Sequence, residues 1–388
     1  MTYKQNEKLS KALEKIDLTN TQIERAKELY TNICNAIIKK SGLNISFYSQ
    51  GSFATKTTVR PFENGKDKSY DVDVICEVQN LDKTIPPSTL MDIFEEAIDS
   101  AGYYNYTRWD KCFTVDYAKI DGIEFAIDII PSVAESNDKL EEIKKETEHI
   151  ELVNTSIAIP DVTDNHNQWI SNNPIGYKSW FETQTQKYER KYLNFRKSIY
   201  ESSIEELPED NATNLMRNVI KILKRLRDVY FSRSKSQSSP SSIVITTLVA
   251  KLANRISYAE DEFSLLTSVI KELQQLERFN RGVSIQKSLD EGFIISNVIQ
   301  FNDGYWILKN PANGFDNILS SWNENTSASQ DFFNWVADLQ ELIDNQTSST
   351  IEDVRKSEIL YDSLSLNFSS IKPSDFNVNT SKASPWRI

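Results

Sequence analysis

Two carboxylates separated by one residue, Asp71 and Asp73, lie in the run Tyr70–Val78, YDVDVICEV. Successive side chains of an extended strand point to opposite faces. Val72, Val74 and Cys76 therefore share one face, and Asp71 and Asp73 share the other, about 7 Å apart. That spacing lets both acids reach one or two divalent ions. A third acid, Asp128, stands in another apolar run, 123–130, on the face of Glu124 and Ala126 and opposite Phe125, Ile127 and Ile129. On a neighbouring strand it would complete a two-metal site. Two cations about 3.5–4 Å apart stabilise both the attacking and the leaving oxygen of an in-line phosphoryl transfer. An acid pair alone is also common on the solvent face of an acidic protein, so it decides nothing by itself. Ahead of it, Gln50-Gly51-Ser52 forms a turn into a short helix. Gly51 and Ser52 there offer backbone N–H groups and a hydroxyl, which suit a triphosphate. The order of apolar strand, Gly-Ser turn, DxD strand and then an Asp in an apolar strand is more telling than any one part.

Composition narrows the chemistry. The only histidines are His149 and His166, which leaves no material for a histidine cluster. Cys34, Cys76 and Cys112 are odd in number and widely spaced, so neither a disulfide framework nor a zinc cluster is expected. A metal would need oxygen ligands, which points to Mg²⁺ or Mn²⁺. Lys plus Arg is 44 against 56 for Asp plus Glu, a net charge of −12. A long nucleic acid calls for a basic surface, so small Mg²⁺–nucleotides fit this chain better. The polar N-terminus has no signal-peptide core, and no run of about twenty apolar residues exists. With three unpaired cysteines, this points to the cytosol and to no membrane partner.

The elements that must position these groups follow from periodicity. Residues 21–40 predict a helix with an apolar stripe through Ile23, Ala26, Tyr30, Ile33 and Ile37, opened by a Thr21/Glu24 capping box. Asn44–Tyr48 and Tyr70–Val78 predict strands, and 89–101 a helix. Segments 112–119 and 123–130 predict strands joined at Asp121-Gly122, a hairpin signal. Interleaved strands and helices to about residue 170 place this half among α/β or α+β folds. Beyond it helices dominate, at 174–203, 212–231, 242–256, 261–276 and 328–344, with a Ser-rich loop at 234–242. At 388 residues two domains are expected. The boundaries are a core at 1–170, a helical domain at 171–345, and a Ser/Asn-rich, partly loose C-terminal segment at 346–388.

In the helix 212–231, Arg217, Lys221, Lys224 and Asp228 share one face, which suits a nucleotide cleft and equally a solvated helix face. Arg60-Pro61 and Lys56 could close over phosphates or lie on a surface loop. Cys76 reads as a buried thiol. Trp180, Trp306, Trp322 and Trp335 read as core anchors.

QGSFATKTTVRP, YDVDVICEV and EFAIDIIPSV together resemble the catalytic motifs of polymerase-β-like nucleotidyltransferases. More closely, the chain resembles the cGAS/DncV-like nucleotidyltransferases (CD-NTases), bacterial second-messenger oligonucleotide or dinucleotide synthetases. Three later segments extend the likeness: AIPD with QWISNNPIGYKSWF, NVIKILKRLRD with SPSSIVITTLV, and KNPANGFDNILSSW with FFNWV. The likeness spans most of residues 40–340. It implies an α+β fold: a mixed-sheet nucleotidyltransferase core, then a helical domain of the oligoadenylate-synthase type. It implies that Gly51 and Ser52 hold the donor triphosphate and that Asp71 and Asp73 bind two Mg²⁺ (or Mn²⁺) ions. Asp128 would bind the ion that activates the acceptor hydroxyl, Lys224 would contact the triphosphate, and Ser241 and Ser242 would contact the nucleotide. Relatives carry an aromatic residue where this chain has Ser242. The implied activity joins NTPs, ATP among them, into a cyclic di- or trinucleotide in anti-phage (CBASS) signalling. A double-stranded DNA activator is not expected, because no zinc ribbon can be built here. A defence-operon partner could act at the C-terminus, which ends Trp386-Arg387-Ile388. An enzyme that tails RNA or modifies a protein, and a non-catalytic nucleotide-binding protein on the same fold, are the alternatives.

Overall fold

The computed structural model describes residues 2–63, 65–67, 70–120, 123–163, 166–200, 215–234, 238–256, 259–275, 298–348 and 353–366. The elements run α1 (Thr2–Ile16), α2 (Asn20–Ser41), β1 (Ile45–Ser49), α3 (Gly51–Thr55), β2 (Phe62–Glu63), β3 (Lys66–Asp67), β4 (Tyr70–Val78), α4 (Pro87–Ser100), β5 (Tyr106–Arg108), β6 (Phe113–Ile120), β7 (Ile123–Ala134), α5 (Asn137–Glu146), β8 (Ile157–Thr163) and β9 (His166–Asn172). The later part holds α6 (Pro174–Tyr200), α7 (Leu215–Arg233), α8 (Ser242–Ala253), α9 (Glu262–Gln274), β10 (Gln300–Asn302), β11 (Tyr305–Ile307), β12 (Lys309–Asn310), β13 (Asn313–Asn317), α10 (Ser320–Glu324), α11 (Thr326–Thr347) and α12 (Asp353–Ser363).

Seven strands form one mixed sheet in the order β1-β4-β7-β6-β5, with β8 joined to the far end of β7 and β9 beside β8. β4 and β7 run parallel, and the other neighbours are antiparallel. One face is covered. Val72, Val74, Cys76 and Val78 of β4 meet Leu29, Ile33 and Ile37 of α2 and Leu90, Phe94 and Ile98 of α4 in one buried cluster. The alternation of YDVDVICEV drives this, because its apolar face must be buried and its acidic face cannot share that interior. Further along the opposite face, Ile75, Cys112, Ile130, Ile157 and Ile159 form a smaller cluster. The later helices, together with Leu9, Ala12, Leu13 and Ile16 of α1, build a separate and larger core. Trp180, Trp306, Trp322 and Trp335 are all buried in it, as are Leu360, Leu364 and Leu366. Residues 353–366, within the segment assigned to the C-terminus, thus pack into the helical core. Trp386-Arg387-Ile388 lies outside the described residues.

The capping box of α2 is one residue pair earlier than its sequence suggested. Thr19 accepts from the Gln22 amide, and Gln22 Oε1 accepts from the Thr19 amide. Thr21/Glu24 is an equally good pair by type. The Thr19 start places Leu18 just outside the helix, where it packs on the core under the sheet. Asp121-Gly122 lies outside the described residues, but Ile120 pairs with Ile123, with a register shift between Tyr117 and Ile120. No helix among the described residues is long and apolar enough to cross a membrane.

Candidate active site

The parallel pairing of β4 with β7 sets Asp73 directly beside Asp128, with Asp71 beside Ala126 one pleat away. Three acids from two distant stretches therefore come to one sheet face. Antiparallel β6 lies on the other side of β7 and places Thr114 opposite Asp128. The Thr114 hydroxyl donates to Asp128 Oδ1 at 2.6 Å, and it accepts from Trp109 Nε1 at 2.9 Å. This chain fixes the Asp128 carboxylate, which is only 3% exposed. Sequence reasoning overlooked Thr114 and Trp109. The available signal was Thr114 itself, a polar residue between Phe113 and Val115 in an apolar strand.

The Gly-Ser turn is held against the acids. The Gln50 amide donates to the Asp73 carbonyl at 3.0 Å, and the chain then turns into the five-residue α3. Gly51 has φ +62°, a left-handed conformation that costs a side-chain-bearing residue about 1–2 kcal/mol. A Cβ there would also collide with Oδ2 of Asp73, so only glycine lets the turn approach so closely. The first-turn amides of Gly51, Ser52 and Phe53 have no acceptor within their own helix. The Ser52 hydroxyl accepts from Thr58 at 3.4 Å.

The electrostatics follow from this crowding. Burial first, then the Asp128 and Asp71 charges, hold Asp73 well above the usual carboxylate range, while Lys224 pulls it back. Burial pushes Asp128 up to about 6, Asp116 adds to this, and the Thr114 hydrogen bond opposes it. Burial and the same acids also keep the Cys112 thiol protonated. Like charges gathered on one face with only oxygen donors and a glycine-lined approach fit a hard divalent cation, which relieves the repulsion. Asp71, Asp73 and Asp128 are thus able to hold Mg²⁺ or Mn²⁺. Among the described residues, no three His, Cys, Asp or Glu side chains already stand at metal-ligand spacing.

Arg217, Lys221 and Lys224 on the charged face of α7 are engaged with the loop after Gly51 and with Asp17. Arg217 Nε donates to the Thr55 carbonyl at 3.2 Å, and Lys221 pairs with Asp17 at 2.8 Å. Lys224 is 3% exposed and donates to Thr57 Oγ1 at 2.7 Å and to the Thr57 carbonyl at 3.2 Å. Burial, with Arg227 and Lys221 nearby, pushes its ammonium down to about 7, while Asp228 and Asp73 pull it up. Lys224 therefore stands between the loop after the Gly-Ser helix and the acid cluster. Ser241 caps α8 through its backbone, and its side chain makes no cap bond. Ser242 Oγ accepts from Arg227 at 3.1 Å. Both serines are exposed near Arg227, and no contact joins them to the three acids. Lys56 is exposed with φ +57°, whereas Arg60 is tied down by donation to the Asp17 carbonyl at 3.1 Å.

Comparison with known proteins agrees with this geometry. Residues 1–185 match the Second Messenger Oligonucleotide or Dinucleotide Synthetase (SMODS) domain. A c-di-GMP synthase of Roseivirga ehrenbergii is 23% identical over 270 residues, covering 68% of this chain and 64% of that protein. The chain thus spans just under two thirds of that relative's length. Among solved structures, the Bradyrhizobium diazoefficiens CD-NTase CdnG in complex with GTP superposes with a TM-score of 0.61 at 19% identity, over 92% of this chain and 97% of that one. The Vibrio cholerae cyclic AMP-GMP synthase DncV, bound to nonhydrolyzable GTP, gives 0.60 at 14% identity, over 92% and 93%. The fold is the α+β CD-NTase fold, a mixed-sheet core followed by a helical domain. The matched second-messenger synthetase domain lies over the Gly-Ser turn and all three acids, and the fold as a whole is similar to that of the CD-NTases.

Proposed function

We propose that this protein joins nucleoside triphosphates into a cyclic di- or trinucleotide and releases pyrophosphate. The observation that carries the proposal is the parallel register that seats Asp73 beside Asp128, with Gly51 packed against Asp73. Asp71 and Asp73 would hold two divalent cations, and Asp128 would share the one on the acceptor side. Such ions, when bound, stabilise charge on the attacking and leaving oxygens. The residues of the chain do the rest. The amides of Gly51 and Ser52 receive the donor phosphates, and Lys224 approaches them from α7. Ser241 and Ser242 are assigned to the nucleotide, without base stacking. Asp128, oriented by Thr114, accepts the proton of the acceptor 3′- or 2′-hydroxyl. A linear intermediate bound again in the opposite sense closes the ring in the same cleft, so one set of acids serves both bonds.

The relatives named c-di-GMP synthase and cyclic AMP-GMP synthase make GTP and ATP the first substrates to test. Anti-phage (CBASS) signalling in the cytosol, with a defence partner acting at the C-terminus, is the setting the family suggests. The test is incubation with each NTP alone and in pairs, with Mg²⁺ or Mn²⁺ and no macromolecule. The expected result is a phosphatase-resistant product with stoichiometric pyrophosphate. Product that forms only when RNA or a protein acceptor is supplied would overturn the proposal.

A further inference from the structure

One helix grips the loop between the Gly-Ser turn and the DxD strand at three successive points. Arg217 takes the Thr55 carbonyl, Lys224 takes Thr57, and Arg225 Nη1 donates to the Arg60 carbonyl at 2.9 Å. Arg225 differs from the other two. Its Nε donates to the carbonyl of Leu364 at 3.0 Å, and its guanidinium lies over the Phe62 ring at 4.6 Å. It is 1% exposed, among the largest fully buried side chains of the protein.

Burying a cation is costly unless its donors are matched. Packing alone could be achieved by an apolar residue of similar volume. A guanidinium does something else: its planar fork of five donors can address carbonyls on several chain segments at once, which the single ammonium of lysine cannot reproduce. Here the segments are far apart in sequence. Arg60 belongs to the loop behind Gly51, and its own amide donates to the Ile16 carbonyl at 2.8 Å. Leu364 follows α12, where the last carbonyls of a helix lack partners within it and carry negative charge. The segment around it is held independently: Arg233 Nη2 donates to the Asp362 carbonyl at 2.8 Å and to Ser365 Oγ at 3.0 Å. Leu360, Leu364 and Leu366 are buried beside it.

We infer that Arg225 is a positioning residue of the donor-phosphate site, clamping the loop 56–62 to the C-terminal segment 353–366 so that the two move as one body. This rests on the proposed nucleotidyltransferase activity for its kinetic readout, but not for its structural one. Any partner or modification that pulls on the C-terminal segment therefore acts on the loop behind Gly51 through Arg225.

The test uses the full-length protein and three variants, Arg225→Met, Arg225→Lys and Arg233→Gln, read by amide hydrogen exchange and by steady-state kinetics. Arg225→Met keeps the bulk and removes both bonds. It is expected to speed exchange at 57–62 and at 364–366 at least tenfold and to raise the NTP KM about tenfold, with kcat changing less. Arg225→Lys is expected not to restore either, and it serves if the methionine variant does not fold. Arg233→Gln loosens only the C-terminal segment directly. Faster exchange at 362–366 accompanied by faster exchange at 57–62 and a two- to threefold rise in KM establishes the coupling. Faster exchange at 362–366 with the loop and KM unchanged overturns it, as does wild-type KM in Arg225→Lys. If wild-type protein forms no product from any NTP mixture, the proposed activity fails, and the exchange experiment still decides the clamp.

Discussion

Asp128→Asn should stabilise the metal-free protein at alkaline pH while abolishing turnover. The substitution keeps the shape of the side chain and keeps an acceptor for Thr114, but removes a charge from a site only 3% exposed. Burial moves this ionisation from the ordinary 3.8 up to about 6. At 1.36 kcal/mol per decade, holding the charge at pH 8 costs about 3 kcal/mol. The sign follows from linkage. A carboxyl with a raised folded-state pKa contributes its stability fully below the unfolded value, and loses it as pH rises through the folded value. Metal-free wild-type protein therefore weakens between about pH 4 and pH 7 relative to Asp128→Asn, and the difference levels off above that. About 3 kcal/mol is a ceiling, because Asp73 shares the strain and one proton can serve both acids. For a domain of 150–250 residues each kcal/mol is worth roughly 2–4 °C. Thermal melts with a chelator at pH 5 and pH 8 measure the difference directly. Adding Mg²⁺ or Mn²⁺ at pH 8 should raise the wild-type melting temperature more than that of the variant, which keeps Asp71 and Asp73 but loses one shared ligand. A variant no more stable than wild type at pH 8 with chelator would show that burial does not penalise the Asp128 charge, and the linkage argument would fail.

Replacing Asp71 and Asp73 together with Ala should lower turnover by several orders of magnitude and leave the circular dichroism spectrum unchanged, because the loss falls on transition-state charge. Gly51→Ala should cost about 1–2 kcal/mol from the left-handed backbone alone and displace Asp73, so that a melt shows modest destabilisation while product formation is lost. Lys224→Ala should raise the NTP KM more than it lowers kcat, measured in a pyrophosphate-release assay, because its ammonium binds phosphate in ground and transition states alike. It should also lower the melting temperature, since Thr57 loses the donor to its hydroxyl and carbonyl.

The acid-bearing strands were legible because alternation is a two-residue code. YDVDVICEV declares its buried face, and β4 spans the residues that its pattern marks out. The neighbour of Asp128 was not. A two-residue turn at Asp121-Gly122 with regular pairing would set Val115 opposite Asp128. The register shift between Tyr117 and Ile120 advances the strand by one residue and brings Thr114 there instead. The charged stripe of α7 was legible as a stripe, but not what it would meet. Arg225 joins Arg60 and Leu364, residues 165 and 139 positions away along the chain. No local pattern encodes such a tie, because hydrogen bonds to carbonyls leave no side-chain signature at the acceptor. The α2 capping box misled for a related reason. Thr19 and Thr21 are equivalent by type, and the tertiary seat of Leu18 agrees with the earlier start.

The order in which these contacts leave the ribosome has a consequence of its own. Both acid-bearing strands, and the bonds of Arg60 to the Ile16 and Asp17 carbonyls, are complete once residue 134 is made, yet the ties from α7 come later and the Arg225–Leu364 bond last of all. Nascent domains fold from the N-terminal side while synthesis continues. For most of translation, then, the growing polypeptide carries the acid-bearing strands with a phosphate loop fastened at Arg60 but not yet by α7. A truncated product ending anywhere before Leu364 lacks the last of these ties, so incomplete synthesis cannot release a fully fastened copy.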